Sequence, residues 1–214
     1  MLGCHTAAPP RPSTPPSTLA ATRQAFEEAD EHPATVTPEW LMLQIADLDK
    51  MGADTTLPNT ERAEAYVLAA KGEGLLIEHF TTLFWNKAEP GRQVIAYLRQ
   101  ALVLDPNSES AAIAYTFSIL GVRNSGFRSQ AEDAMDMKTT PELTRMAPML
   151  ARHEQSLLAQ SVLRAALDAL ATDGPLPPET EPLRAGLDAR IARLRTRDAG
   201  ASKRVDDQLE RYAK

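Results

Sequence analysis

Apolar residues along this chain recur at intervals of three and four. Leu183, Leu187, Ile191 and Leu194 form the cleanest run, and Leu41, Ile45 and Leu48 show the same spacing earlier. That period puts side chains on one face of an α-helix. The punctuation between runs agrees. Thr37-Pro38-Glu39 joins a capping hydroxyl, a first-turn proline and an acid at the positive end of the helix dipole, and Thr140-Pro141-Glu142 repeats it.

A first helix is expected from a Ser17 cap to about Glu31, with Leu19, Phe26 and Ala29 on one side, ended by His32-Pro33. The second runs from Thr37 to a stop at Met51-Gly52. A third begins at Asn59 or Thr60 and runs toward Trp85 or Asn86. Gly72 and Gly74 interrupt it, predicting a kink, a close helix contact or two helices. Glu89-Pro90-Gly91 reads as the next break.

Beyond it, one helix ends at Leu104 and another runs from about Ser108 to Val122. Ser129 and Glu132 have the spacing of a capping box opening a short helix. Ala147 to Ala171 reads as strongly helical, with Leu150, His153 and Leu157 in line, until Gly174-Pro175-Leu176-Pro177-Pro178 ends it. Val205, Leu209 and Tyr212 mark a last short helix capped by Ser202.

Composition sharpens the fold class. Apolar residues make up 43% of the 214-residue chain, enough to close a core, while aromatic residues make up only 5%. An Ala- and Leu-rich, aromatic-poor chain favours closely packed helices over a sheet. The expectation is all-α, with one helical domain over residues 17–214 built from stacked antiparallel hairpins.

The net charge of −6 argues against a protein that grips nucleic-acid phosphates. From Arg184 onward nine Lys and Arg face five Asp and Glu, giving +4 there and −10 elsewhere. This basic stretch reads first as a solvated face, and second as a contact for anionic head groups or an acidic partner.

The single cysteine, Cys4, excludes an intramolecular disulfide and a cysteine metal cage. Leu2-Gly3-Cys4, followed by Pro9, Pro10, Pro12, Pro15 and Pro16 among Ser and Thr, resembles the cleavage site and tether of a bacterial lipoprotein. The resemblance implies a lipid on the Cys4 thiol. Residues 1–16 are accordingly expected to be a truncated lipoprotein signal and a disordered proline-rich spacer, extended at about 3.1 Å per residue.

A second resemblance lies at Val94, Leu98, Ala101 and Pro106. Their spacing is that of the second helix of a tetratricopeptide repeat, a hairpin unit of about 34 residues, and Asp105 and Asn107 complete the turn between units. The likeness is specific over Gly91 to Tyr115, with Trp85 falling where an aromatic is expected upstream, and it decays downstream. It implies a groove lined by the first helix of each hairpin, with Tyr115, Ile119 and Arg123 as partner-binding positions.

Catalytic chemistry finds no home in the sequence. Glu78-His79 and His153-Glu154 each lack a second histidine one turn away, so the helix-borne zinc arrangement is absent, and no metal ligand, catalytic residue or cofactor is assigned. No phosphate-cradling loop and no nucleophile elbow occur. Met135, Met137, Met146 and Met149 read as core filling before an adaptable partner surface.

Together these features are similar to tetratricopeptide lipoproteins of the bacterial cell envelope. They imply an adaptor facing the periplasm, held to a membrane by lipid on Cys4, that takes a protein or peptide partner. Two alternatives stay open. One is an unlipidated cytoplasmic interaction module with an idle Cys4. The other is a small-ligand-binding helical protein accompanying a transporter.

Overall fold

Helix α1 (Leu19–Glu31) starts where the Thr18 hydroxyl accepts the N–H of Ala21, and it buries Phe26 and Ala29. The structure, a computed structural model, describes residues 18–80 and 88–213. Residues 1–17, with Cys4, the proline-rich spacer and the Ser17 cap, lie outside the described residues, as do Trp85 and Asn86.

After a 3-10 turn (Pro33–Thr35), α2 (Pro38–Ala53) opens as its sequence predicts: the Thr37 hydroxyl accepts the Trp40 N–H, with Pro38 in the first turn. Helix α3 (Asn59–Phe80) packs on α1 and α2 and runs unbroken through Gly72 and Gly74. Of the three outcomes expected there, close contact is the one observed. A Cβ at Gly72 would lie 2.7 Å from Ile45 Cγ1 and 3.1 Å from the Phe26 ring, whereas one at Gly74 would meet nothing within 4 Å.

Helix α4 (Ala88–Leu104) includes Glu89, Pro90 and Gly91 in its first turn, so the predicted break is a helix start. A proline fits there because the first N–H groups of a helix have no intrahelical acceptor. Tyr97 of α4 stacks on Tyr66 of α3, centroids 5.8 Å apart. Four residues then join α4 to α5 (Glu109–Asn124). Asp105 heads a turn in which its carbonyl accepts Ser108 N–H at 3.1 Å and its carboxylate accepts Asn107 N–H at 3.0 Å, with Pro106 at the second position. Ser108 then caps α5 through Ala111 N–H.

The short α6 (Arg128–Ala134) leads into α7 (Thr139–Ala151), which packs on α5 and on α8 (Leu157–Asp173). Here the expected continuous helix across 147–171 is corrected. The chain turns at 152–156, and His153 lies in that turn. The Ser156 hydroxyl caps α8 through Ala159 N–H, while the fully buried Gln160 amide donates to the carbonyls of Leu150 and His153. Those hydrogen bonds engage backbone groups at both helix ends, while Arg152, Glu154 and Gln155 of the turn are exposed.

Helices α9 (Glu181–Arg184), α10 (Leu187–Arg197) and α11 (Ala199–Ala213) complete the described chain. Leu187, Ile191 and Leu194 are buried, as their spacing predicts, with α10 on α8, but Leu183 of the same expected stripe is half-buried on α9, separated from α10 by a break at Gly186, φ +72. Asp198, not Ser202, caps α11, accepting Ala201 N–H at 2.8 Å, and α11 folds back on α5 and α8.

The described residues are thus all-α. Successive helices pack α3 on α4, α4 on α5, α5 on α7 and α7 on α8, with α3–α5 and α5–α8 contacts between alternate members. No helix among them is long and apolar enough to cross a membrane. Met137 and Met146 are buried and Met135 and Met149 pack against the core, the core-filling reading of that group.

Candidate functional site

The start of α7 is where most long-range polar contacts converge. Lys138, the residue before it, provides no side-chain cap. Glu132 on α6 does so instead: its Oε1 accepts Thr139 N–H at 3.0 Å and the Thr139 hydroxyl. Ser129 makes no cap with Glu132, and Phe127 precedes α6 without a side-chain hydrogen bond. The acid expected to look backward in sequence looks forward, because α7 presents free N–H groups and a positive dipole end.

Arg128 links this cap to α8. It donates to Glu132 Oε1 at 3.0 Å, to Thr140 Oγ1 at 3.0 Å, and to both carboxylate oxygens of Asp173. Thr140 also donates to Asp173, and Arg123 of α5 donates to Asp173 at 2.9 Å and to the Ala169 carbonyl. Burial alone would raise the Glu132 carboxyl, but the two Thr139 hydrogen bonds and Arg128 hold it down at about 2. Burial likewise opposes ionisation of Asp173, and hydrogen bonds from Arg128 and Thr140 with the Arg123 charge lower it nonetheless.

A second cluster lies on the other side of the helix. Arg99 of α4 donates to Tyr115 Oη at 2.9 Å, to Glu142 at 3.2 Å and to the Asp136 carbonyl at 3.3 Å. Asp136 has φ +47, a left-handed turn conformation that Asp tolerates better than most residues. Arg145 grips Glu142 through two nitrogens and lies over the Tyr115 ring, 5.4 Å from its centroid. Burial raises the Tyr115 hydroxyl.

Between these clusters α7 borders two solvent-open hollows that share Pro141. One, of about 630 Å³, is walled by Thr140, Thr144, Arg145 and Pro148 of α7 and by Pro177 and Glu179 of the loop after α8. The other, of about 460 Å³, lies among Arg99, Glu142, Asp136 and Lys138. Pro148 sits inside α7 and has no N–H to give the Thr144 carbonyl, so the helix lacks one of its usual backbone hydrogen bonds beside the first hollow.

The positions expected to meet a partner lie elsewhere. Tyr115 and Ile119 are 0% exposed, and the Arg123 side chain, 9% exposed, is committed to Asp173 and Ala169. They hold helices together and do not line an open groove. Helical spacing placed them on one face of α5, but α3, α4, α6, α7, α8 and the returning α11 all pack on that helix. Of the repeat positions, Leu98 and Ala101 are buried, Val94 packs at the core edge, and Pro106 is exposed in its turn. His153 Nδ1 stands 3.7 Å from Glu109. No sequence signal marked Asp173, whose partners Arg123, Arg128 and Thr140 lie on other helices.

Comparison of the chain with protein-family models, with curated proteins and with solved structures finds no match.

Proposed function

We propose that this chain is a tethered helical adaptor of a bacterial cell envelope that binds an extended segment of a protein or peptide partner along α7. One observation carries the reading. The hollow beside α7 is lined by Pro141, Pro148 and Pro177 together with Thr144, Arg145 and Glu179. Prolines at intervals with polar and charged side chains between them suit an extended polypeptide, whose side chains alternate in direction. A solvent-open trough suits a chain better than it suits an enclosed small ligand.

The tether remains as expected from Leu2-Gly3-Cys4 and the prolines that follow, with lipid on Cys4. Tetratricopeptide-like stacking belongs to the same proposal: the buried Leu98 and Ala101 and the Asp105–Ser108 turn support it for the α4–α5 hairpin. The rigid polar clusters under α7 then serve to hold the trough in one shape before a partner arrives.

A photoreactive amino acid at Thr144, compared with one at the exposed Val103, tests the site in envelope membranes. The proposal expects a discrete cross-linked species from position 144 alone, and its loss with Arg145→Glu. Equal cross-linking from both positions would overturn it. Intact mass of the membrane-extracted protein tests the tether, which requires removal of Met1 to Gly3 and added acyl mass.

A further inference from the structure

His79 sits in the last turn of α3, and its Nε2 atom is shut off from solvent yet has no hydrogen-bond partner. An imidazole nitrogen in that position is costly unless something uses its lone pair or its proton. The nearest anionic atom recorded for it is Asp30 Oδ1, 3.9 Å away, beyond hydrogen-bond reach. Asp30 belongs to the end of α1, which packs on α3. Glu78, next to His79, brings a third ligand atom, a carboxylate oxygen, and the three all lie within 4.8 Å of one another.

We propose that Asp30, Glu78 and His79 form a binding site for one divalent transition-metal ion, zinc first, which staples the end of α1 to the end of α3. Zinc bonds of about 2.0–2.2 Å in tetrahedral array set ligand atoms about 3.3 Å apart. The 3.9 Å between His79 and Asp30, within a set whose ligand atoms span up to 4.8 Å, therefore has to close for all three to hold one ion. The donor set selects the class of ion. Magnesium and calcium want oxygen ligands in larger number, whereas one imidazole with two carboxylates suits zinc and its first-row neighbours.

Two carboxylates also offset the ion's charge at a half-buried position, and the exposed Glu78 leaves one coordination place open to water. Lys71 on α3 draws on Asp30 as well, but on Glu27 more, and burial already favours release of its proton.

Cobalt(II) titration of the full chain, read by visible absorption, tests the site. The expected result is one saturable equivalent with a tetrahedral spectrum, displaced by zinc, and a melting temperature that rises with zinc. His79→Gln and Asp30→Asn should each weaken binding at least as much as the roughly 10- to 100-fold that loss of an outer-shell partner costs. His153→Gln and the double variant Cys4→Ser, His5→Gln should bind as the parent does. Circular dichroism checks that each variant folds, and Asp30→Asn decides the matter if His79→Gln does not. A chain without a saturable cobalt signal, a signal that survives in the folded ligand variant, or one lost with Cys4 and His5 would overturn the proposal.

Discussion

Arg128 reaches both carboxylate oxygens of Asp173, at 3.0 and 3.2 Å, across 45 residues of sequence. The pair joins the start of α6 to the last residue of α8, and Arg123 and Thr140 share the same carboxylate. Asp173 is therefore the acceptor on which three helices depend.

Asp173→Ala should destabilise the chain by about 2–4 kcal/mol, because it strands the nearly buried Arg123 guanidinium along with Arg128 and Thr140. Val103→Ser, at a position 74% exposed, should change stability by less than about 0.5 kcal/mol. Urea unfolding with a shared slope measures both, and equal midpoints for the two variants would contradict the network.

Acid should weaken the fold through Glu132. Its folded carboxyl titrates at about 2 against an ordinary 4.5, so its contribution is complete above the ordinary value and is lost as pH falls from there toward 2. Asp173 and Glu142, also lowered, act in the same direction. Glu73, raised by burial, acts oppositely, but its effect is confined to pH above the ordinary carboxylate value. Below that value the slope belongs to the lowered group. Denaturation midpoints from about pH 5 to about pH 3 should fall more steeply for the parent than for Glu132→Gln. Parallel curves would refute this.

The two glycines of α3 should respond with opposite signs. Alanine is worth about 1 kcal/mol over glycine inside a helix, and Gly74→Ala gains most of it because its Cβ meets open space. Gly72→Ala drives a methyl group to 2.7 Å from Ile45 Cγ1, so overpacking of about 1–3 kcal/mol outweighs the propensity. Melting temperatures of the two variants should therefore diverge in direction.

Elements whose signals are local were legible in the chain. Thr37 caps α2 within three residues, and the Asp105–Ser108 turn closes on its own side chain. The Leu187, Ile191 and Leu194 stripe is buried as its spacing required. The break between α7 and α8 was harder to see. Apolar period continues through Leu150 and Leu157, while the turn is stabilised by Gln160 reaching back to Leu150 and His153, with Arg190 of α10 donating to Gln160 from the other side.

The same division runs through the sites. Tyr115, Ile119 and Arg123 share a face of α5 by spacing alone, yet spacing does not say whether that face meets water or neighbouring helices. Glu132 could be recognised as a capping acid but not matched to Thr139, because the match depends on how α6 delivers the chain to α7. His79 read as one histidine beside one glutamate, and Asp30 enters only when α1 lies on α3.

Residue order was thus sufficient for helical identity and for starts such as those of α2 and α5, since these rest on hydrogen bonds and side-chain spacing within about one or two turns. Packing alone settled which stripes face each other. Charges far apart along the chain, such as Arg128 and Asp173, come within hydrogen-bond reach only once the helices dock, and their energetics follow from that placement.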